Sequence, residues 1–264
     1  MLTNVFAKTL RDQRRAFFGW SVGVALLVLL ESALWPTVRH MGNIEDFIAN
    51  YPETLRELFK LDQFGSGAGF LNGELYSLML PILFLVYGIG RGARSIAGEE
   101  EAGTLEVLLT TRVSPTSLVR DRAAALAVGV FGLGLVLFGV VAVCSPAFGL
   151  DVPLGEAAAG SLAMALLGLE FGWLALAVGA ITGRHVVATA VAATAAVAAY
   201  VLYAAGGLVE AVEPWRAVSP FDQALAGGPL GGGVPWSFLW LPAAAVVFLA
   251  AALPVFERRD ITVH

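Results

Sequence analysis

Charge is scarce in this chain. Only 14% of its 264 residues are charged, while 58% are hydrophobic. An ordinary soluble domain carries roughly 25% charged residues. A soluble fold of this length would have to expose large apolar patches. The composition therefore excludes a soluble enzyme, a disordered chain and a nucleic-acid binder. Lysine is nearly missing: Lys8 and Lys60 are the two among 16 basic residues. Neither follows a glycine, and no G-x-x-x-x-G-K-[ST] occurs, so the chain carries no P-loop. Cys144 is the single cysteine, which rules out an internal disulfide and a cysteine-based metal site. There is no HExxH, no G-x-S-x-G and no paired intramembrane Asp/His set, which argues against an intramembrane enzyme. Gly183-Arg184-His185 reads as a tight turn, with no second histidine nearby to make a metal site.

What the chain has is long apolar runs, with a mean hydropathy of +0.77. A helix needs about 20 apolar residues to cross a bilayer core. Six stretches qualify or nearly so: 17–34, 75–90, 123–143, 157–182, 186–209 and 236–256. The first is too long for a signal-peptide core, and no A-x-A site follows it. An even number of spans places both termini on one side. With that side cytosolic, 12 of the 16 basic residues lie inside; Arg39, Arg56, Lys60 and Arg216 lie outside. The asymmetry predicts cytosolic termini. The expected fold is an all-α membrane protein: one transmembrane domain over 1–264, six transmembrane helices and an amphipathic N-terminal interfacial helix over 1–16. In that helix Leu2, Val5, Phe6 and Leu10 share a face, with Lys8, Arg11, Asp12 and Arg15 largely off it. Such a helix lies in the inner headgroup layer and favours anionic membrane lipid.

The loops carry less information. The external loop 35–74 holds amphipathic spacing with a break near Pro52, and reads as a gate or as a structural cap. Residues 210–235 contain four prolines and GGPLGGG, so they cannot form one continuous helix. If they dip into the membrane they line a cavity or an interface, with Trp215 and Phe221 as anchors. Alanine-rich 186–209 reads as a close-packing helix.

The distinctive segment is 91–122, RGARSIAGEEEAGTLEVLLTTRVSPTSLVRDR. Glu99, Glu100 and Glu101 sit early in a short helix, Gly103 permits a bend, and Leu105, Leu108 and Leu109 form an apolar strip. Ser114-Pro115 is a cap and first turn for a helix that continues into the membrane. IAGEEEAGTLEVLLTTRVSPTSLV resembles the signature of ABC-2-type transporter permeases, A-G-E-x-E-x-G-T-L-x-x-L-L followed by a short turn. Ala97, Gly98, Glu99, Glu101, Gly103, Thr104, Leu105, Leu108 and Leu109 match; Thr111-Arg112 and Pro115 depart from the turn.

The resemblance implies the membrane subunit of an ATP-driven exporter in a prokaryotic cell membrane. It implies that 97–112 docks on a separate ATPase, with Gly98, Glu99, Glu100, Glu101, Gly103, Thr104, Leu105, Leu108 and Leu109 as coupling residues. Two ATPase subunits and a second permease copy or paralogue would complete the assembly. ATP and magnesium would sit on the ATPase, and no cofactor on this chain. Alternating access would export an amphipathic substrate such as a drug, lipid or peptide. The other reading keeps the motor but relays its work to an external partner without transport. Within the spans Glu31 and Glu170 are the two carboxylates. An ion at bilayer depth costs at least about 2.5–3.5 kcal/mol. Glu170, central in its span, is expected to face the bundle interior and to line a substrate pathway or bond a neighbouring helix. Glu31 is expected nearer the outer interface.

Overall fold

The computed structural model describes residues 5–40, 65–103 and 114–259. Among these residues ten α-helices run in chain order: α1 (Val5–Val38), α2 (Gly67–Leu71), α3 (Leu80–Ser95), α4 (Ala97–Glu101), α5 (Pro115–Phe148), α6 (Leu154–Thr182), α7 (His185–Gly206), α8 (Glu213–Arg216), α9 (Pro220–Leu225) and α10 (Trp240–Arg258). A π-helical stretch, Asn72–Met79, joins α2 to α3, and a 3₁₀ turn, Trp236–Leu239, leads into α10. There is no strand among the described residues. Among the described residues six helical stretches are long and apolar enough to cross a membrane.

Local chemistry sets the ends. At α5 the Ser114 hydroxyl accepts the Ser117 N–H at 3.2 Å, and Pro115 opens the first turn, as expected from the sequence. Both α5 and α6 close on a left-handed glycine, Gly149 and Gly183. The charged amino-terminal segment is helical, but it runs without a break into the first span. At 34 residues α1 is about 51 Å long, well beyond an apolar core of about 30 Å. No Gly or Pro interrupts residues 5–18, and Val5 and Thr9 are buried, so the helix is anchored on both sides of residue 16.

The centre of the bundle is α6, with 78% of its apolar window buried against 17–56% for the other five spans. It packs on α3, α5, α7 and α10, while α1 packs mainly on α5. The tightest crossing is α3 with α6. A methyl group on Gly88 would strike the Gly168 carbonyl oxygen, and one on Gly92 the Gly172 carbonyl oxygen. Both helices carry glycines four apart, the spacing that lets helix backbones touch in lipid. The sequence predicts close packing on alanine-rich α7. There Ala188, Ala192 and Ala196 are buried, but 22% of its apolar window is covered.

At the other end from α4, the glycine-rich loop tucks inward. Asn72 donates to the Leu230 carbonyl at 2.7 Å and accepts the Leu230 N–H at 3.0 Å. Leu230 is buried, and four glycines around it (227, 228, 231 and 233) take positive φ. Residues 210–235 thus form two short helices and a turn, with Phe221 in the core and Trp215 exposed.

Candidate functional site

The acidic helix α4 is a hub. Successive residues on a helix point about 100° apart, so three in a row face three different neighbours. Glu99 accepts a hydrogen bond from Arg122 of α5 at 2.5 Å. The same guanidinium donates to the Thr9 hydroxyl of α1 at 2.7 Å, and Thr9 donates to the Val5 carbonyl. Arg122 is only 5% exposed. Glu100 pairs with Arg259, just beyond α10, and Arg259 also donates to the Ala180 carbonyl of α6 at 2.6 Å. Glu101 accepts the backbone N–H of His185, the first residue of α7, at 2.9 Å, and its second oxygen meets the His185 ring. One five-residue helix therefore holds the ends of α1, α5, α6, α7 and α10.

Each contact has a physical reason. A sheltered guanidinium with no counter-charge is costly, and Glu99 gives Arg122 that counter-charge. Arg184, the residue before α7, offers no side-chain cap, and the Glu101 carboxylate takes that place at the positive helix end. These hydrogen bonds, the backbone N–H first and the imidazole second, hold the Glu101 carboxyl below its ordinary value. Gly183 is required twice. Its φ is +66°, and a side chain there would collide with both the Arg259 guanidinium and the Glu100 carboxylate.

Gly98 and Gly103 flank the hub: Gly98 lies against the Arg94 side chain, and Gly103, at φ +67°, turns the chain after α4. Thr104, Leu105, Leu108 and Leu109 lie outside the described residues, as do residues 41–64 of the external loop. Of the three glutamates that the resemblance makes coupling residues, Glu99 and Glu100 point into the bundle, with side chains 23% and 17% exposed, and Glu101 is partly open at 38%. Arg122, Arg259 and Thr9 are the site residues that sequence reasoning missed. Their signal was weak: an arginine seven residues past Pro115 at the head of a long apolar helix.

The two carboxylates of the spans are not brought together. Glu170 is 5% exposed at the middle of α6, two residues from both Gly168 and Gly172 and so on the side of the helix away from α3. Its Oε2 is shielded and has no hydrogen-bond partner among the described residues. Beside it Phe171 packs on Phe221 of α9, and Trp173 donates to the Ala123 carbonyl of α5 at 3.1 Å. Glu31, half-buried on α1, has Glu74 of the π-helical stretch as its charged neighbour. No group of three or more His, Cys, Asp or Glu that could hold a metal ion occurs among the described residues.

A bundle of six apolar helices around a buried carboxylate, clamped at one end by ion pairs, is the build of a multi-pass membrane protein. The chain belongs to the family described as "Multidrug efflux system permease Rv1217c, C-terminal domain", which it matches over residues 2–257. It is thus a transporter permease. Against individually curated proteins the chain finds no match.

Proposed function

We propose that the chain is the permease subunit of an ATP-driven exporter, worked through α4 and the segment that follows it. The observation that supports this is the fan of three glutamates from α4 to five helix ends. A push on residues 97–112 cannot displace α4 alone; it pulls α5 through Arg122, α10 through Arg259 and α7 through His185. The family signature in 97–109 is where a separate ATPase would push. In this reading Glu99 and Glu100 transmit the motion rather than touch the ATPase. Gly98 and Gly103 set where the segment bends, and Thr104, Leu105, Leu108 and Leu109 supply the docking face. ATP and magnesium belong to the partner chain. Two ATPase subunits and a second permease, identical or paralogous, complete the unit.

Export would proceed by alternating access, with both termini cytosolic in a prokaryotic cell membrane. The substrate is amphipathic. Glu170, buried with an unpaired oxygen, is the group that a cationic or hydrogen-bond-donating substrate would meet in the pathway, and Glu31 lies towards its outer end. The test is purification of the tagged chain from its native membrane, with mass spectrometry and a hydrolysis assay. A stoichiometric ATPase with vanadate-sensitive turnover is the expected result. A clean preparation with no ATPase would overturn the reading.

A further inference from the structure

A groove of about 550 Å³ runs along the outside of the bundle between α1 and α3, within the roughly 300–1,000 Å³ of small-molecule sites. Its walls include Gly19, Trp20, Gly23, Val24 and Leu27 of α1 and Leu83 of α3. At Gly19 and Gly23 an added methyl group would meet nothing within 4 Å, so none of the described residues fills the groove there. The two helices run antiparallel, since Trp35 meets Phe70 and Trp20 meets Tyr87. That fixes what lies at the groove's lower end. On α3, Leu83, Tyr87, Gly90, Arg91 and Arg94 follow one another at helical spacing on a single face. Arg91, one turn below Tyr87, is level with Ala16, and Arg94 lies just beyond.

Arg91 differs from the other sheltered arginines. Arg122, Arg216 and Arg259 each hold a carboxylate. Arg91 and Arg94 form no ion pair among the described residues, and the Arg91 Nε is shielded with no acceptor. Asp12, the acid of α1 closest to that level, is exposed and likewise forms none. From Leu83 to Arg94 is about 16 Å of helix, close to half of a bilayer core of about 30 Å. By helical register, the apolar trough thus points toward two guanidinium groups that have no ion-pair partner among the described residues.

We propose that this groove is a binding site for an anionic phospholipid, with one acyl chain lying against Gly19, Gly23 and Leu83 and the phosphate on Arg91 and Arg94. Guanidinium groups match phosphate geometry bidentately, and basic pockets between membrane helices hold lipid headgroups. A helix from a second copy could also lie on Gly19 and Gly23. It would leave both arginines without a counter-charge, which is why the lipid is the occupant. The site does not depend on the coupling scheme above; only its leaflet, the cytosolic one, follows from the orientation.

The experiment is native mass spectrometry of the full chain in detergent, titrated with phosphatidylglycerol or phosphatidylcholine of identical acyl chains. The parent chain should retain phosphatidylglycerol roughly tenfold better. Arg91→Gln with Arg94→Gln should equalise the two lipids, and Arg91→Lys with Arg94→Lys should keep most of the preference. Gly23→Leu should lower binding of both, while Gly139→Leu, on an open face of α5, should leave it unchanged. An undiminished phosphatidylglycerol preference in the glutamine pair overturns the site, whatever Gly23→Leu does. So does a Gly23→Leu chain that binds both lipids normally but falls from dimer to monomer, because a second copy would then occupy the groove.

Discussion

Arg122 shows how much a single side chain can hold at the end of a membrane bundle. It is buried, and it bonds Glu99 and Thr9 at once, so α4, α5 and α1 share one guanidinium. Breaking a buried pair on one side is far worse than removing both partners, since it strands a charge. Glu99→Leu should lower stability by about 3–5 kcal/mol, and Glu99→Leu with Arg122→Met should recover most of that loss. Thermal unfolding of the purified variants measures both; equal melting of the single and double variants would remove the pair from the argument. The Glu101 clasp on α7 carries a pH signature. Its folded carboxyl lies below the ordinary 4.5, so its contribution is complete above 4.5 and is lost as pH falls through the lower folded value. Melting followed downward from pH 6 should show Glu101→Gln converging on the parent chain only in that acid range. A gap between them that stays constant to pH 3 would deny the linkage. The three glutamates were visible in the sequence as an acidic run. Their destinations were not, because Arg122, His185 and Arg259 lie 23, 84 and 159 residues away. A single sequence carries no trace of which cation meets which acid.

Elements were far more legible than contacts, and the reason is the solvent. Lipid demands long apolar helices with every backbone group bonded internally, so hydropathy alone located six spans. Cap chemistry located the start of α5 at Ser114. The helix crossing at the heart of the fold went unread, although Gly168 and Gly172, like Gly88 and Gly92, stand four apart in the sequence. Alanine-rich α7 drew attention because small residues are numerous there, whereas close approach depends on where a few glycines sit. This crossing makes a sharp comparison within one helix. Gly88→Ala places a methyl group on the Gly168 carbonyl and should destabilise the chain by about 1–3 kcal/mol. Gly90→Ala, two residues on, meets nothing within 4 Å and should change stability by no more than about 0.5 kcal/mol. Equal effects at the two sites would mean that α3 and α6 do not touch through these glycines.

At the scale of the whole molecule, one labelling experiment reads the direction of the chain in the membrane. The ion-pair hub and the glycine-rich loop with its exposed tryptophans lie at opposite ends of the bundle. Trp236 is 86% exposed beside Trp240, as suits an aromatic belt at an interface. Arg184 is exposed in the turn between α6 and α7, next to the hub. Cys144 is buried in α5, so the native thiol leaves a low background for an impermeant maleimide. In intact cells Trp236→Cys should label, and Arg184→Cys should label only after the membrane is opened. Basic residues crowd the hub end: Arg120, Arg122, Arg184, Arg258 and Arg259 all lie at or near it, as the charge rule requires of a cytosolic face. The opposite pattern would carry α4 and its three glutamates to the outside, where no ATP-driven motor could reach them. Coupling through residues 97–112 would then fail as a mechanism, while the packing of α3 on α6 and the pairing of Glu99 with Arg122 would stand unchanged.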